Sequence, residues 1–274
     1  MAQQFDVIGS RAPRLDGPAK ATGQAIFADD LHFPGMLHGA ILQSPHPHAR
    51  VLSVDASAAR RLPGVKAVIT AAEVGTIKYG VSPARYDETL FATEKVRYVG
   101  DEIAAVAAVD LATALEALSL IKVEYDPLPA VFDPLEALAE GAPLIHDEFP
   151  GNVCAEVHQE FGDVEAALAK ADYVRTDTLR NKRQDGGFIE THCAVALPDL
   201  NGRITLYSAT QVPHYVQRNV AMVLGLELSK LRVIKPYVGG GFGPKAEATP
   251  LDYCSTALAL ITGKPVKMAY TREQ

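Results

Sequence analysis

A chain of 274 residues has room for about two domains at the usual ~100–200 residues each. With 48% hydrophobic and 22% charged residues it has the composition of a folded globular protein, which excludes a disordered one. Its formal net charge of -7 is spread without acidic or basic blocks and offers no footprint for a phosphate backbone, which excludes nucleic acid as a partner.

At the start, Met1 to Arg11 carry no apolar signal core, and no uncharged apolar run approaches the ~18 residues of a membrane span. A cytoplasmic location without membrane contact is expected. Residues 51–54 and 65–70 are short β-branched runs, broken by Pro63-Gly64. Residues 102–109 form a compact apolar run suited to a buried strand. Leu111, Leu115 and Leu118 then recur at helical spacing, with Asp110 placed to cap the first turn. Residues 120–125 return as a strand that ends at Pro127 and Pro129, giving strand–helix–strand. Asp133-Pro134-Leu135-Glu136 sets a cap, an N1 proline and an N3 glutamate, and Gly141 stops that helix.

Residues 141–160 hold Gly141, Pro143, Pro150, Gly151 and Asn152 without periodicity, and they read as a linker. Residues 1–140 and 161–274 are accordingly expected to pack as two α/β units. In the second, Asp163 caps a short helix through Ala171, and 173–179 reads as a strand. Residues 193–197 and 203–208 flank Pro198-Asp199-Leu200-Asn201-Gly202, a hairpin signal. A helix over 213–224 stops at Gly225, and a strand over 231–235 leads into Gly239-Gly240-Gly241-Phe242-Gly243. Thr249-Pro250 opens a last helix, Gly263 ends it, and 266–270 is a final strand.

The glycine cluster is the sharpest chemical feature. Glycines let backbone approach another group closely, so the cluster reads either as a structural turn or as a loop facing something bulky with its amides and one ring. It is neither G-x-G-x-x-G nor Walker A, because Lys245 is followed by Ala246. Gln211, after the 203–208 strand, offers a neutral amide able to donate to an oxo ligand or an oxyanion; alone, it reads more readily as a loop glutamine bonding backbone. His192 in Glu190-Thr191-His192-Cys193 reads as a packed residue, and His46 and His48 lack further ligands for a metal. Cys154, Cys193 and Cys254 lie far apart without a CxxC, so this chain alone assembles neither a zinc site nor an iron–sulfur cluster. A sparse, odd cysteine count fits buried free thiols in a reducing compartment.

Several segments together resemble one family. Asp16-Gly17-Pro18-Ala19-Lys20-Ala21-Thr22-Gly23, Ser44-Pro45-His46-Pro47-His48-Ala49-Arg50 and Pro63-Gly64-Val65 look like the α/β hammerhead domain that opens the large subunit of molybdenum hydroxylases, the xanthine dehydrogenase/aldehyde oxidase family. Tyr98-Val99-Gly100-Asp101-Glu102-Ile103-Ala104 is similar to that domain's Gly-(Asp/Glu)-x-(Val/Ile)-Ala segment, and 190–193 through Gln211 looks like the start of the molybdopterin-binding region. The resemblance implies a mixed α/β (α+β) fold: hammerhead domain at 1–140, linker at 141–160, and the N-terminal part of a molybdopterin-binding domain at 161–274.

The same resemblance implies roles for individual residues. Gln211 matches the glutamine that hydrogen-bonds the apical oxo ligand of molybdenum. Gly241, Phe242 and Gly243 match the loop against the cofactor, with the Phe242 ring walling the substrate pocket. In this family the metal is held by the pterin dithiolene, so no protein ligand is expected. The implied cofactor is molybdenum–molybdopterin, in the cytosine dinucleotide form; iron–sulfur clusters and FAD belong to partner subunits, and the remaining molybdopterin-binding half is a further partner. The implied activity is hydroxylation of an electron-poor aromatic, heteroaromatic or aldehyde carbon, or reductive dehydroxylation as in 4-hydroxybenzoyl-CoA reductase.

Two departures bear on this. After Gly243 the chain reads Pro244-Lys245-Ala246-Glu247, so Ala246 stands where xanthine dehydrogenases carry the carboxylate that orients a purine, and a purine substrate is disfavoured. The general-base glutamate of the family lies beyond the region matched here, so no catalytic residue is assigned and the isolated chain is expected to be inactive. A truncated scaffold that keeps the fold without turnover is the rival reading.

Overall fold

The apolar run that follows Glu102 becomes the hub of the fold. The structure, a computed structural model, describes residues 9, 11, 13–81 and 86–274, so most of the 1–11 stretch read for a signal core lies outside the described residues. In chain order come α1 (Gly17–Ala21), β1 (Leu37–Gln43), β2 (Ala49–Asp55), α2 (Ser57–Arg61), β3 (Val65–Thr70), α3 (Ala71–Val74), β4 (Lys95–Val96), β5 (Glu102–Ala108), α4 (Leu111–Ser119) and β6 (Lys122–Pro127). After these come α5 (Pro134–Ala137), α6 (Val164–Ala169), β7 (Cys193–Pro198), β8 (Ile204–Ser208), α7 (Pro213–Val223), β9 (Leu231–Ile234), α8 (Pro250–Thr262) and β10 (Val266–Ala269).

Every residue of β5 is buried, as a strand covered on both faces must be. From Ala104 to Ala107 successive side chains leave it on opposite sides, and Ile103, at an irregularity in the pairing with β1, joins the same core as Ala104. Ala105 and Ala107 join the core built with α7 and α8, while Ile103, Ala104 and Val106 join the one built with α4 and the three-stranded sheet β4-β2-β6. On α8, Leu251 and Leu258 are essentially without exposure, and burying side chains of that size contributes about 1.5–3 kcal/mol each. The three capping aspartates act as their positions predict: Asp110 accepts from Thr113 N at 2.8 Å, Asp133 from Leu135 N at 2.7 Å and Asp163 from Ala166 N at 2.9 Å.

The main sheet has seven strands in the order β3-β5-β1-β10-β7-β8-β9. It takes β3, β5 and β1 from before the 141–160 segment and the other four from after it. Strand β10 pairs parallel to β1, in the register Leu37↔Val266, His38↔Lys267 and Gly39↔Met268, and Leu37 N donates to Pro265 O at 2.8 Å. One ladder therefore crosses between the residues before and after the 141–160 segment, and the two units share a sheet. The sequence hid this because β1 itself carries no clear strand pattern: His38, Gly39 and Gln43 interrupt its apolar residues.

Residues 141–152 are a tethered crossover. Lys95 Nζ donates to Leu144 O and to an Asp147 carboxylate oxygen, both at 3.1 Å, and Arg97 Nε donates to Ile145 O at 3.2 Å. The Asn152 side chain accepts from Ile145 N at 2.9 Å and donates to Ala137 O and Pro143 O. The looser segment comes next. The strand expected over 173–179 does not form: 173–187 runs without helix or strand and with exposed side chains, among them Tyr173 and Leu179. A β-branched run becomes a strand only where an edge is available, and no described strand lies beside it.

A broad-specificity protease is accordingly expected to cut the native chain first within 153–187, with 141–152 resistant. Mass spectrometry of the first fragments checks this, and initial cuts inside 141–152 would refute it.

Candidate functional site

Strand β8 delivers Ala209-Thr210-Gln211 to the edge of the core, and the proline that opens α7 turns the chain away. Thr210 Oγ1 donates to Lys245 O at 3.2 Å and accepts from Val212 N at 3.0 Å, while Gln211 N donates to the same Lys245 carbonyl at 2.8 Å. Beyond β9 the glycine cluster folds back over this corner. Gly243 N donates to Gln211 Oε1 at 3.0 Å. With its oxygen engaged, the carboxamide of the exposed Gln211 keeps its nitrogen as the remaining donor. Gly241 makes that packing possible, because a Cβ there would fall 2.4 Å from Gln211 Oε1 and 2.8 Å from its Cγ. Phe242 sits in the left-handed region at φ 52, a conformation uncommon outside glycine, and its ring is 75% exposed.

The four residues singled out from the sequence, Gln211, Gly241, Phe242 and Gly243, thus meet in one place. Two further residues that hold them there escaped the sequence reading. Lys245, with no exposed surface, donates through Nζ to Glu190 Oε2 and to Glu190 O, each at 2.8 Å. Glu190 Oε2 also accepts from Gly239 N at 2.7 Å. The Phe188 ring lies 4.9 Å from the Lys245 ammonium and 5.5 Å from the Arg272 guanidinium, which donates to Phe188 O and Ile189 O. The signal available in the sequence was an isolated lysine two residues after a glycine cluster, with no phosphate-loop pattern to explain it.

On its other flank the loop borders a cleft of about 580 Å³, where His192, Pro244 and Glu247 face Gln43, Tyr98, Asp101, Glu102 and Tyr270. Burial pushes the Glu102 carboxyl up to about 7, with the Asp101 charge adding to the shift. Tyr98 Oη and Tyr270 Oη donate to its two oxygens, both at 3.3 Å. Burial also raises Asp101 and Glu247, and it lowers His192, whose Nε2 lies 3.4 Å from Pro244 O. The sequence signal for Glu102 was a carboxylate opening an otherwise apolar buried strand. His48 keeps a structural place, with Nδ1 2.6 Å from Pro129 O, and the His46 ring packs against Tyr125 at 4.7 Å with a tilt of 60°. Among the described residues no three His, Cys, Asp or Glu side chains are grouped to hold a metal ion, and no helix is long and apolar enough to cross a membrane.

Residues 22–129 match the family profile described as the aldehyde oxidase and xanthine dehydrogenase a/b hammerhead domain, and 145–274 match the molybdopterin cofactor-binding domain. The chain is 38% identical to the nicotinate dehydrogenase large molybdopterin subunit of Eubacterium barkeri, over 100% of this chain and 64% of that protein. It is 34% identical to the carbon monoxide dehydrogenase large chain of Afipia carboxidovorans, over 99% of this chain and 36% of that one. Among solved structures, quinoline 2-oxidoreductase from Pseudomonas putida 86 superposes with a TM-score of 0.89 at 33% identity, covering 97% of this chain and 35% of its own. The chain therefore spans between about a third and two thirds of these relatives.

The cleft carries a pH dependence whose sign is set by the raised Glu102 value. Between the usual 4.5 and about 7 the folded chain keeps a proton that the unfolded chain has released, so this group's contribution to stability falls as pH rises through that window. At ~1.4 kcal/mol per pKa unit the effect is on the order of 3 kcal/mol. Glu102→Gln, which stays neutral, is expected to melt well above wild type at pH 8 and close to it at pH 4.5. Thermal melts at both values check this; an offset independent of pH would remove Glu102 as its source.

Proposed function

The chain belongs to the xanthine dehydrogenase/aldehyde oxidase family of molybdenum hydroxylases, as a hammerhead domain followed by a molybdopterin-binding domain of the large subunit, and from that premise we propose that it forms one wall of the cofactor site in a cytoplasmic oxidoreductase. The observation that carries the proposal is the exposed Gln211 carboxamide, its oxygen tied to Gly243 N so that its nitrogen remains as donor, beside a loop that only Gly241 lets so close.

The donors available here suit that cofactor. A neutral amide and glycine backbone are matched to oxygen atoms and a flat organic group, not to a bare ion. When bound, the molybdenum cofactor supplies a Lewis acid and the redox centre for hydroxylation. The chain's own part is binding and orientation. Gln211 Nε2 would donate to an oxygen of the bound group, the 239–243 backbone would lie against it, and the exposed Phe242 ring would wall the substrate pocket and keep water from it. Hydrogen-bond donors fixed before the reaction need no reorganisation as charge develops.

For the substrate we infer an aromatic or heteroaromatic compound or an aldehyde, hydroxylated or reductively dehydroxylated. Ala246 offers no carboxylate to a purine, and Glu247 is directed to the cleft instead. The relatives named for nicotinate and quinoline support a nitrogen heteroaromatic. The general-base glutamate comes from the remaining molybdopterin-binding half, and iron–sulfur and FAD subunits carry the electrons away. The pterin is assigned the cytosine dinucleotide form. Exposed Val157, Phe161, Tyr173, Leu179 and Ile189 on one stretch of chain support a further polypeptide covering this side.

In the assembled enzyme, Gln211→Ala is expected to lower turnover about 10²–10³-fold, the usual loss for one preorganised donor, with little change in melting temperature because the side chain is exposed. Wild-type turnover at full molybdenum occupancy would take Gln211 out of the site and favour a scaffold role. The isolated chain, offering one wall only, is expected to retain far less than one molybdenum per molecule. Near-stoichiometric metal in it would contradict the shared site.

A further inference from the structure

We propose that Glu190 and Lys245 are positioning residues, whose buried ion pair clamps the 239–243 loop at both ends and thereby sets the orientation of the Gln211 amide. The inference deepens the cofactor-wall reading and rests on it for its consequence, though the clamp itself is a property of this chain.

Stability does not explain such a pair. Taking two charges out of water is so unfavourable that replacing a buried ion pair by apolar residues of similar volume is often neutral or stabilising. The geometry gives it another role. A single oxygen, Glu190 Oε2, receives Gly239 N at 2.7 Å from one end of the loop and Lys245 Nζ at 2.8 Å from the other. The Lys245 carbonyl in turn receives the backbone of Gln211 and the hydroxyl of Thr210. Loop, clamp and Gln211 backbone are therefore referenced to the same lysine.

Between the anchors the loop holds three residues at positive φ: Gly240 at 108, Phe242 at 52 and Gly243 at 107. A bulky residue in that region costs on the order of 1–3 kcal/mol and persists only where its surroundings over-determine it. Gly239 allows the anchor to sit this close, since a Cβ on it would lie 2.6 Å from that of Glu190. At the far side of the strained turn Gly243 N reaches Gln211 Oε1, and that bond decides which end of the carboxamide faces outward. Released at 239 and 245, the turn relaxes, Gly243 N withdraws, and the amide is free to flip.

The test compares amide hydrogen exchange, residue by residue, in the wild-type chain, in Glu190→Leu/Lys245→Met and in Gly239→Ala. The double variant removes both charges together and leaves neither unpaired, so its melting temperature is expected within a few degrees of wild type. Its Gly239 and Gly243 amides should nonetheless exchange about tenfold faster or more, with those of α8 unchanged, because the opening is local. Gly239→Ala keeps both charges and is expected to free the Gly243 amide likewise, which keeps the proposal testable should the double variant not fold. Unchanged Gly243 protection in either folded variant overturns the clamp. In the assembled enzyme the same variants should lose bound molybdenum on gel filtration at a temperature where they stay folded. A wild-type assembly without molybdenum, but with the exchange pattern as expected, would sink the cofactor reading and leave the clamp standing.

Discussion

A lysine ammonium with no exposed surface must be answered by its surroundings, and around Lys245 the answer organises the corner where three parts of the chain converge. Glu190 gives it a carboxylate and a carbonyl oxygen from the entry to β7, Phe188 gives it the face of a ring, and its own carbonyl receives Thr210 and Gln211 from the end of β8. Removing one partner would leave an uncompensated buried charge, which typically costs ~3–5 kcal/mol. The loop after β9 is consequently not a free glycine-rich turn. Its flexibility has been spent on close approach, and its shape is fixed by charge.

The same corner depends on the sheet that supports it. Strand β10 lies between β1 of the hammerhead module and β7 of the molybdopterin-binding module, so Arg272, just beyond it, reaches Phe188 while Tyr270 reaches Glu102. Glu102 begins the most buried strand of the fold, and its oxygens are met by hydroxyls from both modules, Tyr98 from the first and Tyr270 from the second. Hydroxyls can serve the neutral carboxyl as well as the carboxylate, whereas an arginine there would lock the charge in. That choice of partners is why burial, with nearby Asp101, governs the group.

How much of this could be read from the residues depends on whether the cause is local. Caps and stops are local: Asp110, Asp133 and Asp163 each bond an amide two or three residues on, and Gly263 ends α8 at φ 64, so those helices were legible. The hairpin through Asp199 was legible for the same reason. Strand β1 was not, because its place is secured by β5 on one side and β10 on the other, partners about 60 and 230 residues further along, whose pairing tolerates Gly39 and His38 in its middle. Residues 173–179 failed in the opposite sense: the propensity is present and the partner edge is not. At the site, the Gln211 and 239–243 features stood out through resemblance, but the Glu190–Lys245 pair spans 55 residues and leaves no periodic trace.

The exposed features share a logic with the buried ones. Phe242 has an unfavourable backbone conformation and a ring that packs into no described core cluster, so neither local preference nor burial within this chain accounts for it. Gly241 and Gly239 have given up side chains so that the loop can lie against Gln211 and Glu190, which leaves a smooth face of backbone beside that ring. The strain is held from the inner side by the Glu190–Lys245 pair, so the outer face carries none of the loop's own anchoring contacts. A similar outward bias marks the chain before β7, where Val157, Phe161, Tyr173, Leu179 and Ile189 are exposed among charged residues while Phe188 is buried beside the Lys245 ammonium. Buried charge thus fixes the inner side of this corner, while the Phe242 ring and the exposed side chains before β7 lie outside every described core cluster.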